Sequence, residues 1–427
     1  MPKPLVLDNV KILDVEKGVV IENGCIVIEG KIIRDVGSRG SVEIPKDTVA
    51  IDCRGYMALP GLIDAHMHLT GFRTGDFIKE SLLVSYETLV ARAVKDLENL
   101  IEAGFTTIVD AGGLIALGLK QAVDEGSIAG PRIVAAGPVI SQTFGHGDTH
   151  YLPIWLVDAK SPLHLKQFTS LLCDGVDECR KASRYALRMG SDFIKICTTG
   201  GVLSQRDRPE YTQFTLEEIK AIVEEAESAG RWVHAHAEGA KGIVNALKGG
   251  VRVIAHADLI NDEGINLALE KNAIIVPTLA VSEHILSYGK ELGIPEWGLE
   301  KEAELYKYHV ENIRRAYKAG VKLATGTDFW GGIKAFRHGD NSLEIILFVE
   351  KLGIPPIEAL RAATINAAEV AGLKNTTGSI TPKKFADIIV VNGNPLDNPR
   401  TLMDKENVML VVKEGKIFKN KLETVDR

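Results

Sequence analysis

The chain has 427 residues, 45% hydrophobic and 25% charged, with a formal net charge of −7. That length suits a large barrel plus a small companion domain, and the acidic balance argues against a nucleic-acid partner or a polybasic membrane anchor. No apolar run approaches the roughly 20 residues of a membrane span.

The first segment, "MPKPLVLDNVKILDV", has no apolar core ending in small residues of the signal-peptide kind. The runs "LVLDNVKILDV", "GCIVIEG" and "KIIRDVG" are short, β-branched and separated by Gly and charged turns, so they predict strands. From residue 59 the pattern changes. Eight apolar runs predict buried strands: "GLIDAHMHL", "TTIVDAG", "RIVAAG", "FIKICTTGG", "WVHAHA", "VIAHA", "AIIVPTLA" and "KLATGTD". Most follow a helical pattern that ends in Gly, as in "ECRKASRYALRMG" and "LEEIKAIVEEAESAG", where Gly supplies the left-handed residue after a helix. Eight alternations predict a (β/α)8 barrel. An open doubly wound sheet is the weaker alternative, because no G-x-G-x-x-G follows the first strand. The segment "VISQTFGHGDTHYLPIWLVDAKSPLHLKQF" after strand 3 is a long irregular loop expected to overhang the barrel mouth. Strand-like runs return at the end, in "ADIIVVNGNPL" and "NVMLVVKEGKIFKN". The expected organisation is therefore residues 1–58 and 375–427 as two halves of one β-sandwich, with the barrel, 59–374, inserted between them.

Five cysteines, Cys25, Cys53, Cys173, Cys179 and Cys197, contain no C-x-x-C pair. Reduced thiols in a cytoplasmic protein are expected, with Cys173 and Cys179 the pair close enough in sequence to join.

In a barrel, chemistry sits at the C-terminal ends of the strands. His66 and His68 end strand 1, two apart, and so share a face. His234 and His236 repeat that spacing on strand 5, His256 ends strand 6, and Asp328 ends strand 8 in "ATGTD". A lone strand-end histidine is usually a hydrogen-bonded structural residue. Five imidazoles and a carboxylate converging on one barrel end need an ion or a substrate to satisfy them. Imidazole plus carboxylate suits zinc first, with manganese, iron or cobalt also accommodated. Lys195 on strand 4 would lose hydration inside the barrel and so lose its proton more readily. A neutral buried amine beside cations can react with carbon dioxide, giving a carbamate able to bridge two metals. Periodicity alone does not choose between His234 and His236 as ligand. Asp64, on the same face as His66 and His68, is expected to orient one of their imidazoles. Arg206 or Arg208, after strand 4, could pair a substrate carboxylate.

These residues resemble the amidohydrolase superfamily: "PGLIDAHMHL" matches its strand 1 signature, and Lys195, the strand 5 histidine, His256 and Asp328 follow in order. "SQTFGHGD", "KICTTGGVLS" and "HGDNSLEIILFVEKLGIPPIEALRAATINAAEVAGL" are similar to the branch of Xaa-Pro dipeptidases (prolidases), dipeptide and N-acyl amino acid carboxypeptidases, and ochratoxin-type amidases. The resemblance implies two divalent ions, zinc by expectation. One would be held by His66, His68 and Asp328, the other by His234 and His256, with carboxylated Lys195 bridging. It makes His234 the ligand and turns His236 toward substrate. His146, in "FGHGD", would contact the scissile carbonyl or its oxyanion, and Tyr151 and Arg206 would line the substrate site. It implies a small-molecule or dipeptide substrate and a homo-oligomer. The sequence departs from the family at Phe144, where relatives often carry Gly, at Phe329 and Trp330 after Asp328, and in the charged loop "QRDRPE".

The expected chemistry is hydrolysis of an amide. Two cations sharing a water lower its pKa toward neutrality, and Asp328 moves the proton to the leaving amine. Hydrolysis of a cyclic amide, lactone or imidazolone on the same barrel is the second expectation. A non-catalytic scaffold is the third, and it is disfavoured because all six ligand positions are intact.

Overall fold

In the computed structural model, which describes residues 3–426, the apolar runs of the middle region form eight parallel strands. They span Leu62–Met67, Phe105–Asp110, Arg132–Ala135, Ile194–Cys197, Val233–Ala237, Val253–His256, Ile274–Val276 and Lys322–Leu323. Covered by side chains inside and helices outside, they need no alternation of polar residues. The sheet closes into a (β/α)8 barrel. Asp192 N–H donates to Ala135 O (2.8 Å) between strands 3 and 4. At the seam of strands 8 and 1, Ala65 N–H donates to Thr325 O (2.9 Å) and Asp328 N–H to His66 O (2.7 Å).

The helices obey the signals read in the sequence. Leu216–Ser228 starts with a reciprocal capping box between Thr215 and Glu218. Val176–Met189 ends at Gly190, whose φ of 105° a side-chain-bearing residue would resist. Two differences arise at the barrel top. The run "AIIVPTLA" leaves the sheet at Val276 and enters a helix at Leu279–Tyr288, because Thr278 turns left-handed (φ 59°). The segment after strand 3 is not irregular throughout. Val139–Ser141 pairs in parallel with Ser170–Leu172 and bridges to strand 4, and Ile154–Val157 makes one helical turn.

Strands from both chain ends form a separate nine-stranded sheet. Met57–Pro60 pairs antiparallel with Ile388–Val391, Ala58 opposite Val390. Leu7, Ile12, Ile26, Ile28, Ile388 and Leu410 give this sheet its own core. The Cys173 and Cys179 thiols are free, buried and 3.0 Å apart. Among the described residues no helix is long and apolar enough to cross a membrane.

Candidate functional site

A cavity opens where the eight strands end. On its floor His68 Nε2 lies 3.0 Å and His66 Nε2 3.4 Å from Asp328 Oδ1. The ligand atoms of these three residues lie within 4.8 Å of one another, a set able to hold a metal ion. Burial alone would raise the Asp328 carboxyl, but its hydrogen bonds to the two imidazoles outweigh that and hold it well below the usual carboxylate range.

Lys195 is buried, with Nζ 3.4 Å from His66 Nε2. Desolvation lowers its amine to about 8, so a neutral amine is accessible near neutral pH. His234 Nε2 is 3.1 Å from His66 Nδ1, while its own Nδ1 is buried without a hydrogen-bond partner. An orphaned imidazole nitrogen beside a His–His–Asp set fits a metal better than it fits a dry core. The remaining nitrogens are fixed by the protein. His68 Nδ1 faces Gly112 O at 2.9 Å and His256 Nδ1 faces Thr278 Oγ1 at 2.7 Å, leaving each Nε2 to other contacts. His338 Nε2 supports the main chain of His68 at its carbonyl, 3.1 Å away.

The backbone here is strained. His256, Ala257, Thr278 and Asp328 have φ of 71°, 60°, 59° and 57°, a conformation that costs non-glycine residues about 1–3 kcal/mol each. Close packing of the barrel overrides the local preference, turning the side chains at the ends of strands 6, 7 and 8 toward the cavity.

Asp64 does not orient an imidazole. It is wholly inside the wall and accepts from the backbone N–H of His66 (3.0 Å) and Thr327 (3.2 Å), the Thr327 hydroxyl (2.7 Å) and the Asn341 amide (2.6 Å). It ties strand 1 to strand 8 through the main chain, and the imidazoles take other partners.

His146 reaches the cavity from the long loop, its ring stacked on His236 with centroids 4.0 Å apart. Ser204 hydrogen-bonds the Asp207 carboxylate and lies 2.9 Å from His146 Nδ1. With the serine proton given to Asp207, His146 carries its own proton at Nδ1 and presents a bare Nε2. Burial lowers His146 to about 4, so contact with an oxyanion requires a proton delivered to that nitrogen. His236 also lines the cavity, with its Nε2 3.0 Å from Gly200 O.

Tyr151 and Arg206 are not in the cavity wall. Both are exposed, and the Arg206 guanidinium stacks over the Tyr151 ring at 5.5 Å. Arg208 is also exposed and faces Glu304 (3.3 Å). Lys301 holds the loop that carries them through the carbonyls of Gly201, Ser204 and Asp207. Among the departures from the family pattern, Trp330 lines the cavity, Phe329 is wholly buried against His284, and Phe144 is half-exposed.

Sequence reasoning passed over three carboxyl groups in the cavity wall: Glu238, Asp258 and Glu302. The signal for one was present: Glu238 follows His236 by two residues at the end of strand 5, which places it on the face of that histidine, whereas Asp258 lies beyond the left-handed His256 and Ala257, where alternation does not apply. Burial pushes Asp258 up to about 7 and Glu302 up to about 8.

The amidohydrolase family description matches residues 57–418. The ochratoxinase of Aspergillus niger is 33% identical over 440 residues, covering 98% of this chain and 89% of its own. A prolidase solved with N-methylphosphonate-L-proline is 34% identical and superposes with a TM-score of 0.90, covering 98% of this chain and 100% of that one. A Xaa-Pro dipeptidase solved with methionine in its active site is 33% identical, with a TM-score of 0.87 and coverage of 98% and 100%. The match thus spans barrel and terminal strands alike, and the chain belongs to the amidohydrolase family as a hydrolytic enzyme acting on amide bonds.

Proposed function

We propose that the protein is a metal-dependent hydrolase of dipeptides or N-acyl amino acids. The observation that carries this is the convergence of His66, His68 and Asp328 beside a buried Lys195 and an unpartnered His234 nitrogen. His66, His68 and Asp328 would hold one divalent ion and His234 and His256 the second, with Lys195, carboxylated on its amine by carbon dioxide, as a further ligand. Zinc suits this donor set. When bound, the ions supply the Lewis acidity that polarises a carbonyl and acidifies a water.

The chain's own residues do the rest. Asp328, whose carboxyl is held ionised between two imidazoles, accepts the proton of the attacking water and returns it to the departing amine nitrogen. His146, held by Ser204 and Asp207, faces the substrate carbonyl at the cavity wall. Phe77, Phe168 and Trp330 give the cavity an apolar side that excludes water from the reacting bond. The matches to an amidase and to two dipeptidases support the substrate class.

The test is a library of dipeptides and N-acyl amino acids offered to the zinc-loaded protein and scored by free amino acid released. Turnover restricted to this library is expected. No turnover of any member, with hydrolysis of a cyclic amide or lactone instead, would overturn it. Intact-mass analysis of the metal-loaded protein tests the carbamate separately, and an unmodified Lys195 would remove it.

A further inference from the structure

We propose that Asp207 is a positioning residue for His146, fixing both the seat of its ring and which ring nitrogen carries the proton. This rests on the amide-hydrolase reading, which sets His146 against the substrate carbonyl, and deepens it by naming what prepares that histidine. The starting point is the charged loop "QRDRPE", which has no part in the metal set. Its Arg206, Arg208 and Glu210 are exposed, but Asp207 is only 1% exposed. A carboxyl group buried among exposed charges needs partners to satisfy it. Those partners lead to His146 by two routes. Asp207 Oδ2 accepts from the Gln213 side-chain amide (3.0 Å), and Gln213 Oε1 accepts from the backbone N–H of His146 (2.9 Å). Asp207 Oδ1 accepts from the Ser204 hydroxyl, whose Oγ lies 2.9 Å from His146 Nδ1. Ser204 and Gln213 are themselves buried. The two routes close a circuit of hydrogen bonds on one histidine. Lys301, on the helix Glu296–Lys318, anchors the circuit by donating to the Asp207 carbonyl at 2.6 Å.

The direction of each bond follows from two groups that cannot reverse. The backbone N–H of His146 can only donate, so the Gln213 amide turns its oxygen to His146 and its NH2 to Asp207. The Asp207 carboxylate can only accept, so it takes the Gln213 proton on one oxygen and the Ser204 proton on the other. Gly201 O, 3.2 Å from Ser204 Oγ, is the competing acceptor for that hydroxyl, and a charged acceptor holds a proton more strongly than a neutral one. Ser204 Oγ then offers only lone pairs to His146 Nδ1, so that nitrogen carries the proton. A second proton arriving at Nε2 leaves this direction unchanged, and the ring does not have to turn to receive it.

Nitrogen NMR of the zinc-loaded protein, isotope-labelled at histidine and held near neutral pH, reads the tautomer directly. The His146 signals are identified by their loss in His146→Gln. The wild type should show a protonated Nδ1 and a bare Nε2. In Asp207→Asn one of the two acceptor positions becomes an NH2 donor, so either the Ser204 bond or the Gln213 amide must turn round. The His146 signals should then shift toward a mixture of tautomers. Ser204→Ala, which removes the acceptor at Nδ1 by a smaller change, should do the same. Turnover of the best dipeptide or N-acyl amino acid gives a second readout. Asp207→Asn should lower kcat by about tenfold to a hundredfold, with KM little changed. Made in the His146→Gln background, it should cost nothing further, because both residues act through one ring. A bare Nδ1 in the wild type, wild-type His146 signals in both variants, or a full further loss in the His146→Gln background overturns the proposal. Shifted signals in a protein that cleaves no amide keep Asp207 as the residue that positions His146, and overturn the amide-hydrolase reading instead.

Discussion

His68 Nε2 and Asp328 Oδ1 stand 3.0 Å apart across the seam where the barrel closes. The same seam is held by His68 N–H donating to Phe329 O at 2.8 Å, so the contact between the two side chains depends on the closed barrel. Asp328→Asn keeps the size of the side chain and removes its charge and its proton acceptor. Turnover should fall by about 10²–10⁴, with metal still partly bound by elemental analysis. A near-normal rate would remove Asp328 from proton transfer.

Asp64 supports that seam from inside. Asn341→Leu removes the amide at 2.6 Å from Asp64 Oδ2 and leaves a buried carboxylate oxygen short of a partner. The expected loss is about 1–3 kcal/mol of stability, read as a lower denaturant midpoint. Orientation of the imidazoles is set elsewhere, so metal content per folded molecule should stay near the wild-type value.

Gly201 lies beneath the stacked pair of histidines. A Cβ there would lie 2.4 Å from His146 Cε1 and 2.9 Å from His236 Cε1, closer than carbon atoms approach. Gly201→Ala should push His146 off its position and lower kcat by up to about 10², with melting temperature and metal content little changed. An unaltered kcat would show that the placement of His146 does not matter to the reaction.

Arg206 and Tyr151 stack on each other outside the cavity. Arg206→Ala and Tyr151→Ala should each leave kcat/KM within about twofold, since exposed side chains away from the reacting groups seldom matter much. A large rise in KM for either variant would mean that the loop folds over a bound substrate.

Glu302 makes stability depend on pH in a direction opposite to that of a salt-bridged acid. Burial and the neighbouring Asp258 raise its carboxyl from 4.5 to about 8, so the folded state binds this proton more tightly than the unfolded chain. Its contribution is therefore full below about 4.5 and is lost as pH rises through about 8. Glu302→Gln cannot ionise. Its melting temperature relative to the wild type should be higher at pH 9 than at pH 5, by differential scanning calorimetry. An identical difference at both pH values would show that Glu302 ionises freely in the folded protein.

The barrel was legible because its strands are buried on both faces and its helices end at Gly, as at Gly190, Gly230 and Gly320, all with positive φ. Those are local signals. The histidine pairs were legible for the same reason, since a period of two puts both members of H-x-H on one face whatever the rest of the chain does. The same rule would have exposed Glu238 behind His236, but not Asp258, which follows two left-handed residues.

What the sequence by itself determined is which residues share a face along the extended part of a strand, as His234 and His236 do, because side-chain alternation is a property of the extended backbone. Only the tertiary structure decided which of them meet. Asp64 finds Thr327 and Asn341 instead of an imidazole, Arg206 finds Tyr151 instead of the cavity, and Glu302 arrives from a helix to complete an acidic wall that no local pattern announces. Those contacts depend on closure of the barrel and on left-handed turns at His256, Thr278 and Asp328. Long-range packing imposes both against local preference.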